Sequence, residues 1–308
     1  MDKIKNQKPL DRRSQSKIKN YLLPVEITTL VYILITAIYL AVFKAPIIHF
    51  GVRLGVAILI LFLASLHNTN RNPIIEFIRY FLPFALLSYW YPETYYFNNF
   101  IFDNLDHHFV EADYLLFGCQ PSLEFSKRLS WGWFSELMYF GYFSYYFIIF
   151  GTALWCYLFR KEFMNKAAFM FVCSFYLFYM VFIILPVMGP HFYFTPPLNE
   201  VPDGYLFCKL QRFLQAIGEK PTGAFPCSHV GISFTVVIFV AQHCRVLLKY
   251  VLPLFVILVL ATVYIKAHYL VDVIGGFAAV ALTYPLVNRI YKKMFDIAGQ
   301  THFCIGDN

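Results

Sequence analysis

The sequence predicts an all-α, polytopic integral membrane protein, a helical bundle with about eight spans. Of its 308 residues, 59% are hydrophobic and 20% aromatic, whereas only 14% are charged. A soluble domain carries about 25% charged residues, and the apolar residues here form runs that match a lipid bilayer. The net charge of +7 does not indicate a nucleic-acid partner, because seven of the 25 cations lie in the first 19 residues and most others border apolar runs.

Apolar runs set the number of predicted spans. They cover residues 27–43, 52–66, 74–91, 133–159, 167–188, 229–247, 250–267 and 270–290. The second run is short for a bilayer core, and the fourth is long enough to tilt or to begin as an interfacial helix. The first run is too long for a signal-peptide core and lacks a small-residue cleavage site, so we expect it to be retained as a span.

These runs divide the chain into five predicted regions. They are a basic cytoplasmic tail (1–26), three N-terminal spans (27–91), an outer interfacial segment (92–132), a catalytic helical core (133–291) and a second cytoplasmic tail (292–308). The outer segments 92–132 and 189–228 are aromatic and contain proline, so we expect both to lie in the membrane interface.

Loop charges predict the orientation. With the N-terminus in the cytoplasm, 16 of the 25 cations fall in inner segments and eight in outer segments, and Arg79 lies unassigned within the third span. This asymmetry follows the positive-inside rule. Of seven cysteines, Cys119, Cys208 and Cys227 fall in outer segments. The cysteines show no zinc-type spacing, and their odd number does not indicate how they pair. Whether these three form a disulfide is therefore left open.

Two histidines stand at the outer mouths of predicted spans. One ends the motif Phe225–His229, and the other is His268, which is followed four residues later by Asp272. If His268 opens the eighth helix, Asp272 lies one helical turn away on the same face. Such groups are costly at a membrane boundary without a function. An imidazole nucleophile, an orienting carboxylate and a second imidazole acting as general acid suit attack on a phosphoester.

At these residues the chain resembles the type 2 phosphatidic acid phosphatases, whose pattern is Pro-Ser-Gly-His, then Ser-Arg, five residues and His-x-x-x-Asp. The first motif reads Pro226–His229 here, and the second reads Ala261–Asp272, with alanine and threonine in place of Ser-Arg. The segment Asp113–Pro121 also looks like one that recurs in a branch of the superfamily. The resemblance implies a core of six helices, a phosphohistidine on His268, and no metal or other cofactor.

The departures point to one branch. The upstream basic motif of the phosphatases is absent, and the aromatic, proline-containing turn Leu185–Tyr193 stands in its place. Such a turn, with the missing arginine, resembles inositol phosphorylceramide synthase and sphingomyelin synthase. That implies transfer of a phosphorylated head group, phosphoinositol above all, from a glycerophospholipid to a ceramide-type lipid alcohol. The residues expected to contact the substrate are Lys266, His191, Ser228 and Tyr269.

Other interpretations remain open at this stage. The first alternative is a lipid phosphate phosphatase, acting on phosphatidic acid, phosphatidylglycerophosphate or an isoprenyl pyrophosphate, in which water resolves the phosphohistidine. A second is a non-catalytic lipid-binding or transport protein, against which the intact set His229, His268 and Asp272 argues. A metal site in the segment Asp106–Asp113, where His107 and Glu111 share a helical face, is a weak alternative. The oligomeric state is left undetermined.

Overall fold

The computed structural model describes residues 21–295, and every regular element in that range is helical. This range contains eleven helices of eight or more residues. They are α1 (Pro24–Val42), α2 (Ile47–Asn70), α3 (Pro73–Glu93), α4 (Asp106–Phe117), α5 (Pro121–Arg128), α6 (Gly132–Phe159, with a π-helical stretch at Phe147–Gly151), α7 (Lys161–Ile184), α8 (Leu206–Gly218), α9 (Ser228–His243), α10 (Arg245–Tyr264) and α11 (Leu270–Met294). The two predicted tails lie mostly outside the described residues.

Within the described range, six helices are long and apolar enough to cross a membrane. They are α1, α2, α6, α7, α10 and α11, while α9 is apolar but shorter. The prediction of a polytopic membrane helical protein is therefore confirmed. The count of eight spans is not confirmed, because α3 carries Glu76, Arg79 and Glu93 among its apolar residues and α9 has only 16 residues. Each predicted span nonetheless coincides with one helix, offset by a few residues at its ends.

The described residues divide into two compact units, and the boundary between residues 83 and 84 falls within α3. In the first unit, a buried ion pair joins Glu26 of α1 to Arg79, the cation that the charge count leaves unassigned. Arg79 donates from Nε to Glu26 Oε1 and from Nη2 to Oε2, each at 2.7 Å. The Glu26 carboxylate also accepts from the Leu23 backbone N–H at 2.7 Å. These contacts satisfy both charges without solvent, as a buried pair requires.

In the second unit, α9 is the central helix. It packs against α7, α10 and α11, and α10 packs along α6. Its buried positions occur all round the helix rather than on one stripe, which is the pattern of a helix enclosed by others. His229 lies in its first turn, so this packing fixes the position of the ring.

The two segments predicted to be interfacial contain short helices. Helix α8 is strongly amphipathic, exposing Leu206, Phe213 and Ile217 while burying Cys208 and Gln211. Its first turn is held by the Glu136 carboxylate of α6, which accepts from the backbone N–H groups of residues 205, 207 and 208 at 2.6, 2.7 and 3.3 Å. A carboxylate at a helix N-terminus stabilises that end. This arrangement accords with a helix that lies along a membrane surface.

Candidate active site

The two predicted histidines meet in the structure although 39 residues separate them. His229 Nδ1 lies 3.2 Å from His268 Nε2, within hydrogen-bonding distance. His268 is almost fully buried, and the His229 side chain is partly buried. The first turn of α9 supplies His229, and the loop between α10 and α11 supplies His268. The sequence prediction that the two rings share one site is thus supported by their geometry.

The Ala224 carbonyl fixes the tautomer of His268. The Nδ1 atom of His268 lies 2.8 Å from the Ala224 oxygen. A carbonyl can only accept a hydrogen bond, so Nδ1 carries the proton. In the neutral ring the lone pair is then on Nε2, the atom that faces His229. This leaves Nε2 as the nucleophilic atom of the pair.

Asp272 does not accept the hydrogen bond that the sequence pattern predicts. Its Oδ2 lies 3.6 Å from His268 Nδ1, which permits charge interaction but is too long for a hydrogen bond. The reason is that α11 begins at Leu270, so His268 precedes the helix instead of opening it. Asp272 is instead the third residue of α11, and its Oδ2 accepts from the Tyr269 backbone N–H at 2.9 Å, as in a capping box. Its buried Oδ1 has no hydrogen-bond partner among the described residues.

Two glycines let the loops around His268 approach each other. Gly189 has φ +91°, and a Cβ there would lie 2.6 Å from the Ala267 carbonyl oxygen. A Cβ on Gly276 of α11 would lie 2.7 Å from the Cys227 carbonyl oxygen. Side chains at these positions would push the histidine-bearing segments apart, so both glycines are required by close backbone approach.

A buried carboxylate, Asp106, ties the loop before α8 to the segment that carries His268. Its two oxygens accept from the Met188 N–H at 2.7 Å, the Gly189 N–H at 2.8 Å and the Tyr269 hydroxyl at 2.9 Å. The Asn104 side chain donates to the same carboxylate at 2.6 Å. Tyr269, predicted to contact substrate, is fully buried and held by Asp106. Its contacts therefore favour a positioning role.

Asp113, seven residues further on in α4, holds the N-terminus of α11. Its carboxylate accepts from the Leu270 N–H at 3.1 Å and the Val271 N–H at 3.0 Å. Burial raises the pKa of Asp113, and these two backbone donors oppose the rise. Between the two aspartates, Phe109 packs against the rings of Phe225 and Tyr269, with centroids at 4.8 and 6.1 Å. Helix α4 thus fixes the position of the His268 loop and of the first turn of α11.

His229 is set between tyrosine rings of α6. The ring centroids of Tyr142 and Tyr145 each lie 4.5 Å from that of His229. The preceding residue, Ser228, begins α9. Free backbone N–H groups in this first turn favour an anion such as phosphate. Ser228 also lines the smaller of two cavities beside the histidines.

Cys227 stands directly beside both rings. It is the N-cap of α9, and its Sγ accepts from the Val230 N–H at 3.5 Å. Its Sγ and one ring nitrogen from each of His229 and His268 lie within 4.8 Å of one another, a donor set compatible with a metal such as zinc. Within residues 21–295 the cysteines are free, Cys119, Cys208 and Cys227 included. The predicted metal alternative at His107 and Glu111 is not part of this donor set.

The surroundings of His268 change its proton affinity. Burial lowers its pKa, but Cys227, the Ala224 carbonyl and the Glu219 carboxylate together outweigh burial, so the net shift is upward from 6.5. The imidazolium is the charged form, and these neighbours stabilise it. A nucleophilic His268 must be neutral, so the site becomes competent as the pH rises through this elevated pKa.

A polar cavity of about 1200 Å³ opens beside the His268 loop. Its lining includes His191 and Lys266, both predicted to contact substrate. The Lys266 ammonium already donates to the Leu198 carbonyl at 2.7 Å and to the carbonyl of Glu200. Burial lowers the pKa of Lys266, and Glu200 partly opposes that effect. Lys266 therefore contributes positive charge to the wall of the cavity while its position is set by the loop carbonyls.

His191 is held in the same wall by its backbone. Its N–H donates to the Lys266 carbonyl at 2.7 Å, and its own carbonyl accepts from the Asn199 side chain at 3.1 Å. Burial, followed by the charges of Lys266 and Arg212, lowers the pKa of His191. His191 is therefore neutral at neutral pH and can offer the cavity hydrogen bonds rather than charge.

A second cavity, of about 330 Å³, adjoins His229 and Ser228. Glu219 and Gln215 line both this pocket and the polar cavity. The sequence gives no signal for Glu219, which belongs to no motif. It also gives none for the Ala224 carbonyl, since a backbone acceptor carries no residue identity. Asp106 and Asp113 were recognisable, because a spacing of seven residues places two carboxylates on one helix face.

The fold and the site together define a class: a polytopic helical membrane protein with two contacting histidines, one in the first turn of a helix and the other in the loop before a helix. A family model described as the PAP2 superfamily matches residues 112–286, more than half of the chain. The protein belongs to the PAP2 superfamily, which supports an activity of the lipid phosphatase or phosphotransferase type. Searches of curated proteins and of solved structures gave no match to this chain.

Proposed function

We propose that the protein is a membrane phosphotransferase that moves a phosphorylated head group from a glycerophospholipid to a ceramide-type lipid alcohol through a phosphohistidine. The observation that carries this proposal is the pairing of His268 Nε2 with His229 Nδ1 at 3.2 Å, with the opposite nitrogen of His268 bound to a carbonyl. One ring is thereby prepared as a nucleophile and the other lies within reach of the same reacting group.

In the first step, His268 Nε2 attacks the phosphorus of the donor. A P–N bond forms, the P–O bond to diacylglycerol breaks, and protonated His229 gives its proton to the departing oxygen. Positive charge then develops on the His268 ring. Asp272 Oδ2 at 3.6 Å stabilises that charge without taking the proton, which stays between Nδ1 and the Ala224 carbonyl.

In the second step, the acceptor hydroxyl attacks the phosphorus. Neutral His229 takes the hydroxyl proton, the P–N bond breaks, and its electron pair returns to His268 Nε2. A new phosphodiester leaves, and both histidines return to their starting protonation states. No redox agent or metal enters this balance.

The charges around the polar cavity support a head group rich in hydroxyls. Three cations line it, but four carboxylates do as well, so the wall is not a positive clamp. The cations are Lys127, Arg212 and Lys266, and the carboxylates are Glu124, Glu200, Asp203 and Glu219. A dianionic phosphate monoester would favour several unpaired cations. A singly charged phosphodiester of a polyol such as inositol needs fewer, and carboxylates accept hydrogen bonds from its hydroxyls.

We also propose that the site opens to the extracytoplasmic side, with the N-terminus in the cytoplasm. The support is the asymmetry of the loop cations, 16 against eight. On that topology the first turn of α9 and the start of α11 lie on one side of the membrane. A phospholipid donor could then enter laterally from the outer leaflet.

The other candidate is a lipid phosphate phosphatase, in which water takes the place of the acceptor hydroxyl. The same histidine pair would serve, so the distinction lies in what resolves the phosphohistidine. The small pocket beside His229, which is largely apolar, favours a lipid alcohol over water. The proposal therefore gives transfer precedence over hydrolysis.

Expression in a host that lacks sphingolipids tests the proposal. Membranes receive head-group-labelled phosphatidylinositol and ceramide, and labelled products are separated by chromatography. A new labelled lipid phosphodiester that is lost in His268→Ala and retained in His107→Ala supports transfer, because His107 is an exposed histidine outside the site. Labelled free head group or phosphate alone would support the phosphatase instead. Absence of any turnover would contradict both.

A further inference from the structure

The small pocket beside His229 differs from the polar cavity in size and in lining. Its volume of about 330 Å³ lies at the lower end of the range for small-molecule sites. It therefore fits the polar end and the first part of a hydrocarbon chain rather than a whole phospholipid. Most of its wall is aromatic or aliphatic, contributed by α3, α6, α7 and α8. The lining residues that shape it include Phe84, Leu87, Tyr91, Tyr179 and Leu214.

The tyrosines of this wall do not all present hydroxyls to a ligand. Tyr91 donates to the Thr222 carbonyl at 3.1 Å, and Tyr179 donates to the Leu87 carbonyl at 3.2 Å. Their hydroxyls thus have backbone partners, and their rings supply apolar surface. The polar residues of its lining include His229, Ser228 and Glu219.

Glu219 is the unusual member of this group. Its Oε2 is fully buried and has no hydrogen-bond partner within residues 21–295. A buried acceptor without a donor is costly, so such an atom points to a missing partner. Burial raises the pKa of Glu219 to about 7, against the opposing effects of Gln215 and His268. The unpaired Oε2 is available to accept a hydrogen bond from a ligand.

We propose that this pocket binds the acceptor lipid alcohol, with Glu219 accepting a hydrogen bond from its hydroxyl or amide N–H beside His229. This inference rests on the proposed function. The lining of the small pocket contains no lysine or arginine, whereas Lys127, Arg212 and Lys266 line the polar cavity, so the anionic donor head group belongs in the polar cavity. A neutral lipid with hydrogen-bond donors at its polar end fits this pocket, because the wall is mostly apolar and Glu219 supplies an acceptor. Glu219, which lines both cavities, then stands between the donor and the acceptor.

Glu219 has the role of a binding residue in this account. The acceptor hydroxyl gives its proton to His229 as its oxygen attacks phosphorus, and the P–N bond to His268 breaks. Glu219 orients the acceptor through a hydrogen bond and takes no proton. Loss of that bond should weaken acceptor binding far more than it slows cleavage of the donor.

Two measurements on the full-length protein test this. The first is equilibrium binding of a fluorescent ceramide analogue to the protein in detergent, which needs no turnover. The second is acceptor-dependent transfer from phosphatidylinositol, with diacylglycerol release followed separately. The variants are Glu219→Gln and the pocket-filling Leu214→Trp. Glu111→Gln, an exposed carboxylate in α4, is the matched control.

We expect Glu219→Gln and Leu214→Trp to weaken binding of the analogue at least about tenfold and to raise the acceptor KM similarly. Diacylglycerol release should change less than about threefold, and Glu111→Gln should match the wild type. Unchanged binding in both variants would overturn the proposal, as would equal losses of donor cleavage and transfer. If the wild type binds the analogue through Glu219 but forms no phosphodiester, the pocket assignment stands and the transferase proposal fails.

Discussion

His268 donates its Nδ1 proton to the carbonyl of Ala224 at 2.8 Å, while Asp272 Oδ2 lies 3.6 Å from the same nitrogen. A backbone carbonyl therefore orients the proposed nucleophile, and the carboxylate acts on it through charge. The Ala224 carbonyl and the Asp272 carboxylate therefore have different roles. Ala224 fixes which nitrogen attacks, and Asp272 both caps α11 and stabilises the positive charge that develops on the ring.

Cys227 should control the pH at which the enzyme becomes active. Cys227 contributes to the upward pKa shift of His268, and only neutral His268 can attack. Activity should therefore rise with pH through that pKa. Cys227→Ser removes the thiol but keeps a good N-cap for α9, so the acid limb of the rate profile should move to lower pH. The measurement is the initial transfer rate between pH 5 and 9, with Cys173→Ser in α7 as the control.

An acid limb that stays in place or moves to higher pH in Cys227→Ser would contradict this account. A parallel unfolding measurement checks that the change in the rate profile does not come from loss of stability. Ser is among the preferred N-cap residues and Ala is not, so Cys227→Ala should be less stable than Cys227→Ser by about 1 kcal/mol.

Substitution of Tyr269 distinguishes a positioning role from direct contact with the substrate. Its hydroxyl is bound to Asp106 and the residue is fully buried. We expect Tyr269→Phe to lower the free energy of unfolding by about 2 kcal/mol, because one hydrogen bond to a charged group is lost, and to leave the KM for the donor unchanged. Asp106→Ala should cost about 3 kcal/mol or more, since it strands buried backbone donors.

Denaturant unfolding in detergent micelles, together with steady-state kinetics, checks both values. A donor KM raised several-fold by Tyr269→Phe at unchanged stability would show that the hydroxyl binds substrate, as the sequence pattern first predicts. Equal stability of Tyr269→Phe and Asp106→Ala would contradict the view that Asp106 gathers several donors.

The buried pair Glu26–Arg79 should stabilise the N-terminal unit as a pair. Replacing one member leaves an uncompensated buried charge, so Arg79→Met should cost about 3–5 kcal/mol. The double change Glu26→Leu with Arg79→Met should recover most of that loss, because both charges are then absent. A double-mutant cycle by thermal unfolding measures the coupling. Additive losses from the two single changes would show that the pair is not coupled.

The sequence predicted the helical elements well for a simple physical reason. Long apolar runs exclude water and must form their hydrogen bonds internally, so each run becomes a helix whatever its neighbours are. The pairing of His229 with His268 was also predictable, since both were expected at the same mouth of the membrane. The predicted hydrogen bond to Asp272 failed because helix boundaries are uncertain by one or two residues. Starting α11 at Leu270 rather than His268 changes which atoms meet.

The rest of the site arises from tertiary structure. Asp106 and Asp113 act on segments about 80 and 157 residues away in sequence, and no local pattern reports such a partner. Glu219 reaches the histidines only because the chain after α8 folds back to them. The Ala224 carbonyl is a backbone group, so its identity is invisible in sequence. The seven-residue spacing alone indicates only that the two carboxylates lie on one face of α4 and can contact neighbouring segments on that side.

The central claim is that phosphoryl transfer proceeds through His268 Nε2. Rapid-quench labelling with head-group phosphate-labelled phosphatidylinositol, followed by alkaline work-up and mass spectrometry of the peptide that contains His268, tests it directly. The account predicts a phosphoinositol group bound to Nε2 of His268, formed without acceptor, discharged when ceramide is added and absent in His268→Ala. Label on His229, label on Nδ1 of His268, or turnover with no labelled histidine would contradict it.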